Sequence, residues 1–143
     1  MILVDANIIL YAEDSASPHH VRAREWWDAL LSGADEVALC WPVLKAFLRI
    51  ATHPKLQVQP VTPRQACDRI SEWLAQPGAM VVEPTDRHWD EFRRLVLAIN
   101  ATGNLITDAH LAAMAIGHGC QLASCDADFS KFPGLNWVNP LAS

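Results

Sequence analysis

The stretch MILVDANIILYA, residues 1–12, decides the fold class. Four apolar residues run straight into Asp5, and Asn7 follows two positions later. A short apolar run closed by an acid has the pattern of a parallel strand buried on both faces. Ligands of parallel α/β domains gather beyond the carboxyl ends of the strands, which is where Asp5 stands. A carboxylate set against four apolar neighbours also needs a partner, because burying an unpaired charge is costly. The segment has no basic residue ahead of its apolar run, so it does not read as a signal peptide.

Outward from this stretch, strand and helix signals alternate. Ser17-Pro18 reads as an N-cap with proline in the first helical position, opening a helix over about 19–31 that stops near Gly33. Residues 37–39 form a second candidate strand. A helix follows over 41–52, where Val43, Leu44, Phe47, Leu48 and Ala51 make an apolar stripe beside polar Lys45 and Arg49. Thr62-Pro63-Arg64-Gln65 matches a capping box and predicts a helix to about Ala75. Residues 79–82 read as a strand, Thr85 as the cap of a helix to about Asn100, and 106–116 as a helix with Asp108 at its opening. Short strands at 121–124 and 136–138 complete the series. Long helices between strands indicate a parallel sheet covered on both faces, hence an α/β fold. Residues 1–143 are expected to form a single domain, with neither internal repeats nor an interdomain linker.

With 51% apolar residues in 143, the chain is too hydrophobic to be disordered and long enough to bury a core without staples. Charges interrupt the apolar stretches, which excludes a membrane span. Cys40, Cys67, Cys120 and Cys125 form no CxxC pair and lie in apolar stretches, as small core residues do. A reducing cytoplasm is the expected compartment. A net charge of −5 argues against a nucleic-acid coat protein, but not against an enzyme whose acids hold a metal.

Further acids fall on the edge that Asp5 marks: Asp108 in NLITDAHLAA, and Asp126 and Asp128 in ASCDADF, just after the QLAS strand. Each has a plain structural role open to it, Asp108 as a helix N-cap and the other two as an Asx-turn and cap before Phe129. Together they suit a hard divalent cation such as Mg²⁺, which takes oxygen ligands and needs few carboxylates. Two carboxylates about 5 Å apart repel by about 3 kcal/mol at an effective dielectric of about 20, a cost that a cation relieves. With those four set aside, the other 12 of the 16 acids nearly balance the 11 basic residues. The negative charge is then mostly the signature of one site. Among the aromatics, Trp26 and Trp27 point about 100° apart on a helix, so one is expected at the edge of the buried stripe. Trp41, Trp73, Trp89 and Trp137 read as core or near-core, and His110 as structural, on a different helix face from Asp108.

The chain resembles PIN-domain ribonucleases, in particular the VapC toxins of bacterial toxin–antitoxin pairs. The likeness is carried in order by ILVDANIILYA, WPVLKAFLRIATHP, TGNLITDAHLAAMAIGHG and ASCDADFSKFPGLNWVNPL, and covers nearly the whole length. It implies a three-layer α/β/α fold with a central parallel sheet and an acidic pocket holding Mg²⁺ or Mn²⁺. It also implies hydrolysis of RNA by a metal-activated water, with Asp5, Asp108 and Asp126 as metal ligands and Asp128 as a further catalytic acid. Asn7 matches the small polar residue that often follows the first Asp, a candidate substrate contact together with Arg49. An RNA substrate, a small antitoxin partner and a homodimer follow from the same likeness, and no membrane.

One position departs from the pattern. Ala46 stands where many members carry glutamate, just before the Phe-Leu-Arg of the middle helix. The alternative that follows is a weakened or inactive PIN module that binds RNA or an antitoxin. Haloacid-dehalogenase-like phosphatases also begin with a strand ending in Asp, but they need a second Asp where this chain has Asn7.

Overall fold

In the computed structural model, which describes residues 1–142, the opening run forms strand β1 (Ile2–Val4). It is joined by β2 (Val37–Leu39), β3 (Ala79–Val81), β4 (Gln121–Ala123) and β5 (Trp137–Val138). The five strands form one sheet of order β3-β2-β1-β4-β5, with every neighbouring pair parallel. Leu3 sits opposite Ala38 on one side and Leu122 on the other. All three are fully buried, because both faces of the sheet are covered.

Helices α1 (Ala6–Glu13) and α2 (His20–Ser32) join β1 to β2, and α3 (Trp41–Ala51) and α4 (Pro63–Leu74) join β2 to β3. The return from β3 to β4 runs through α5 (His88–Ala98) and α6 (Asn104–Gly117). Right-handed crossovers put the first four helices on one face and the last two on the other. The packing agrees: α1 lies on α2 and α3, α3 on α4, and α5 on α6. The result is the expected three-layer α/β/α architecture. Because the chain leaves β1 towards β2 but comes back to β4 on the other side, the topological switch point falls between β1 and β4.

On the four-helix face, Trp27, Phe47 and Trp73 pack edge to face and tie α2, α3 and α4 together. Their ring centroids lie 5.6 Å apart for Trp27–Trp73 and 4.8 Å for Phe47–Trp73. Trp26, next to fully buried Trp27, is half-buried, as the 100° offset requires. The capping box at α4 is present: Gln65 N–H donates to Thr62 Oγ1, and Thr62 N–H donates to Gln65 Oε1.

Several local expectations shift. Residues 6–13, which carry no clear periodic signal, form α1, with Asp5 capping it. Ser17 does not cap α2; its hydroxyl accepts from His19 N in the preceding turn, and the helix starts at His20. Thr85 likewise closes a turn, its carbonyl accepting from His88 N, so α5 starts three residues later. Trp41 and Trp89 are 48% and 66% exposed, since each occupies the opening turn of its helix, beyond the layer that helix covers. Cys67 faces outward on α4 and is exposed, whereas Cys40 and Cys120 are buried.

Helix α6 begins after Gly103, whose φ of 58° and ψ of −130° are open to glycine and strained for any other residue. That turn sets the direction in which α6 leaves the loop. We expect Gly103→Ala to destabilise the fold by about 2 kcal/mol, seen as a lower urea midpoint at unchanged m-value. An unchanged midpoint would show that the helix start does not depend on this backbone geometry.

Candidate functional site

Asp5 follows β1 directly, and its backbone N–H donates to Ala123 O at 2.9 Å, continuing the β1–β4 pairing past the last strand residue. Its two carboxylate oxygens are both engaged. Oδ1 accepts from Ala6 N at 2.7 Å, and Oδ2 accepts from the Ser124 hydroxyl at 2.7 Å. Ser124 is fully buried and accepts in turn from Asn7 Nδ2 at 3.2 Å and Asp126 N at 3.1 Å. Asn7 Oδ1 accepts from Cys125 N at 3.3 Å, so the Asn7 amide is tied at both ends to the loop after β4. Trp137 on β5 adds a bond from its Nε1 to Ser124 O at 3.0 Å. Sequence reasoning missed Ser124, which it took only as the end of a strand. The available signal was a lone hydroxyl between an apolar strand and a pair of acids.

Asp108 lies in the second turn of α6, not at its opening, because the helix starts at Asn104. It has no capping role to play there. Asp126, by contrast, does cap: its Oδ1 accepts from Asp128 N at 2.9 Å and starts the short 3-10 helix Ala127–Lys131. The sheet edge brings Asp108, Asp126 and Asp128 together, with one carboxylate oxygen of each within 4.8 Å of the others. Asp128 also pairs with Lys131 Nζ at 2.9 Å. Asp5 stands beside this trio and acts on it through its charge.

The electrostatics record the crowding. Burial raises the Asp108 carboxyl to about 6, helped by the charges of Asp126, Asp5 and Asp128 and opposed by Lys131. Burial also raises Asp5, with the Ser124 and Ala6 hydrogen bonds pulling the other way and Asp126 adding to the rise. An all-oxygen donor set with surplus negative charge fits a hard divalent cation such as Mg²⁺. Among the described residues, no other three metal-ligating side chains converge in this way.

The remaining candidates lie nearby. Arg49 is exposed on α3 and, with Lys45 and Ala46, lines a groove that Thr107 of α6 closes. His110 turns away from the acids: its Nδ1 is 2.9 Å from His88 Nε2, and its ring packs on Phe92. Burial lowers the pKa of both histidines, in keeping with a structural pair.

Fold and site together define a three-layer α/β/α domain with an acidic centre at its topological switch point. The PIN domain family matches residues 2–135, and the chain belongs to that family. It is 42% identical over 142 residues to Ribonuclease VapC37 of Mycobacterium tuberculosis, covering 99% of each chain. Among solved structures, VapBC-1 from nontypeable Haemophilus influenzae superposes with a TM-score of 0.71 at 16% identity, covering 99% of this chain and 100% of that one. A toxin–antitoxin complex from Klebsiella pneumoniae gives 0.65 at 16% identity, covering 98% of each chain. At such identities these two likenesses speak to the fold.

Two outcomes follow for the metal-free protein. Ser124→Ala strips partners from Asp5, Asn7 and Asp126 at once and should destabilise by about 2 kcal/mol in urea titration; a loss near zero would show that the hydroxyl is not what holds the edge. The raised Asp108 pKa means that its ionisation opposes folding, so the stability it contributes is full below the usual carboxylate range and is lost as pH rises through about 6. In EDTA, the melting temperature of the wild type relative to Asp108→Asn should therefore fall between pH 5 and pH 7. A difference that is flat with pH would contradict the raised carboxyl.

Proposed function

We propose that this protein is a VapC-type toxin, an endoribonuclease that hydrolyses RNA phosphodiester bonds with Mg²⁺, or Mn²⁺ in its place, at the Asp108–Asp126–Asp128 cluster. The observation that carries this reading is three carboxylates converging within 4.8 Å in a chain 42% identical to a protein named as a ribonuclease. Asp108, Asp126 and Asp128 would hold the cation, with Asp5 beside them. When bound, such an ion lowers the pKa of a water and stabilises the charge that develops on the phosphate.

The protein's own contribution is positioning. Ser124 and the Ala6 N–H fix both oxygens of Asp5, which holds that carboxyl in one place beside the cluster. Two bonds, Asp126 N to Ser124 Oγ and Asp128 N to Asp126 Oδ1, hold two of the acids on one rigid turn. Asp108 approaches from α6 with its carboxyl raised to about 6 by burial and the neighbouring acids, so at neutral pH it is available as a charged ligand. By the same reading the chain pairs with a small antitoxin, forms a homodimer and acts in the cytoplasm. The toxin–antitoxin complex among the structural neighbours supports the first of these. Among the described residues, no helix is long and apolar enough to cross a membrane.

The test is RNA cleavage by the intact protein over a broad panel, with and without Mg²⁺ or Mn²⁺. Metal-dependent cleavage is expected, reduced about 100-fold or more by Asp108→Ala or Asp126→Ala. No metal-dependent cleavage by the wild type would leave the binding module that Ala46 suggests, and equal cleavage by the variants would place the site elsewhere. Millimolar Mg²⁺ should also raise the melting temperature, more at pH 7.5 than at pH 5 because protons compete for the ligands. Asp108→Asn should shrink that gain.

A further inference from the structure

The segment Asp128-Phe129-Ser130-Lys131-Phe132 carries two pairs of residues at a spacing of three, on the 3-10 turn after β4 and at its end. Side chains three apart eclipse on such a turn. Phe129 and Phe132 make one pair; both are buried, with ring centroids 6.1 Å apart, and they pin the turn to the core. Asp128 and Lys131 make the other, and meet at 2.9 Å between Oδ1 and Nζ. With the aromatic pair turned inward, the charged pair is left on the outer side, Asp128 within the acidic trio. The turn itself therefore places a cation beside the trio.

Among the described residues, Lys131 is the one cation in an ion pair with a member of the trio; Arg24, Arg69 and Arg94 pair with Glu13, Asp28, Glu72 and Glu91 instead. Of the charged groups that act on Asp108, the acids Asp126, Asp5 and Asp128 oppose its ionisation and Lys131 alone favours it. The lysine thus offsets the crowding of the centre, not only the charge of its partner. Its hold is loose. The side chains of Lys131 and Asp128 are 53% and 46% exposed, and ion pairs so open to water are worth little. A dication carries twice the charge of an ammonium, so it is the stronger claimant for the same carboxylate.

We propose that Lys131 is the internal counterion of the empty acidic centre, competing with the divalent metal for Asp128 and so setting how tightly that metal is held. The role rests on the metal-site reading given above. Asp128 must give up the ammonium to ligate an ion, and Lys131 stays tethered to the same turn, where its charge repels that ion. The consequence is a lower metal affinity, in exchange for acids that tolerate standing without one.

Isothermal titration of the metal-free full chain with Mn²⁺, at low salt and pH 7.5, reads the affinity. Lys131→Met and Lys131→Gln should each bind Mn²⁺ about tenfold more tightly than the wild type, the order expected for removing one unit charge from beside a dication near water. The gain should shrink at about 1 M salt, where the screening length is about 3 Å. Lys131→Arg, which keeps the charge, should bind no more tightly than the wild type. Arg64→Ala removes an exposed cation on α4 and should stay within about twofold, because a charge far from the trio is screened. In EDTA the two neutral variants should melt below the wild type, and their gain in melting temperature with Mn²⁺ should exceed the wild-type gain.

A lysine with a merely structural role cannot tighten metal binding when it is removed, so the direction of the change decides. Equal or weaker Mn²⁺ binding by both neutral variants overturns the proposal, as does equal tightening in Lys131→Arg or Arg64→Ala. A raised KM for RNA at unchanged metal affinity would make Lys131 a substrate contact and overturn it too. Mn²⁺ bound equally by all forms removes the counterion role and leaves the metal site; no Mn²⁺ bound by any form removes both.

Discussion

The hydroxyl of Ser124 donates to Asp5 and accepts from Asn7 and from the backbone of Asp126. It is the one buried polar side chain among the described residues, and its single donor and two acceptor positions are all filled. Leaving such a group unpaired in the interior costs about 1–3 kcal/mol. The network fastens β1 to β4 beyond the point where their ladder ends, at the strands that flank the switch point. The spacing of Asp5 from Asp126 follows from that fastening, because they lie on its two sides, while Asp108 reaches the centre from α6.

A centre of this kind is an electrostatic liability that the rest of the domain must absorb. Half-buried carboxylates crowd one another, and in the trio itself only Lys131, paired with Asp128, offsets them from close range. The counterweight is the dry interior: Leu3, Val4, Leu39, Leu122 and Ala123 at full burial in the sheet, and the Trp27–Phe47–Trp73 group across three helices. The strands are only two or three residues long, so most of the packing area comes from the helices.

Much of the fold was legible because its signals are local. Parallel strands covered on both faces read as unbroken apolar runs, and the Thr62–Gln65 box marks a helix start by chemistry alone. Helix α1 was not legible: Ile8, Ile9 and Ala12 are buried while Leu10 and Tyr11 are half-buried, so no polar face exposes the 3.6-residue period. Ser17 misled because a hydroxyl serves a turn as readily as a cap, and Thr85 because its backbone carbonyl closes a turn ahead of the helix. In the centre, Asp5, Asp108, Asp126 and Asp128 could be picked out by position after strands and near a helix start. Ser124 was harder to see: its place between a strand and two acids was the only local sign, since Asn7 and Asp5 lie 117 and 119 residues away.

That separation also sets an order of events during synthesis. Asp5 is made well over a hundred residues before the hydroxyl that fixes it, and Asp126 and Asp128 arrive only with that hydroxyl. Strand β4 must also find its place between β1 and β5 before the edge exists. A partly translated chain therefore carries the pieces of the centre without the centre itself. Whatever chemistry the acids perform therefore waits until residues 124–128 have been made and β4 has paired with β1.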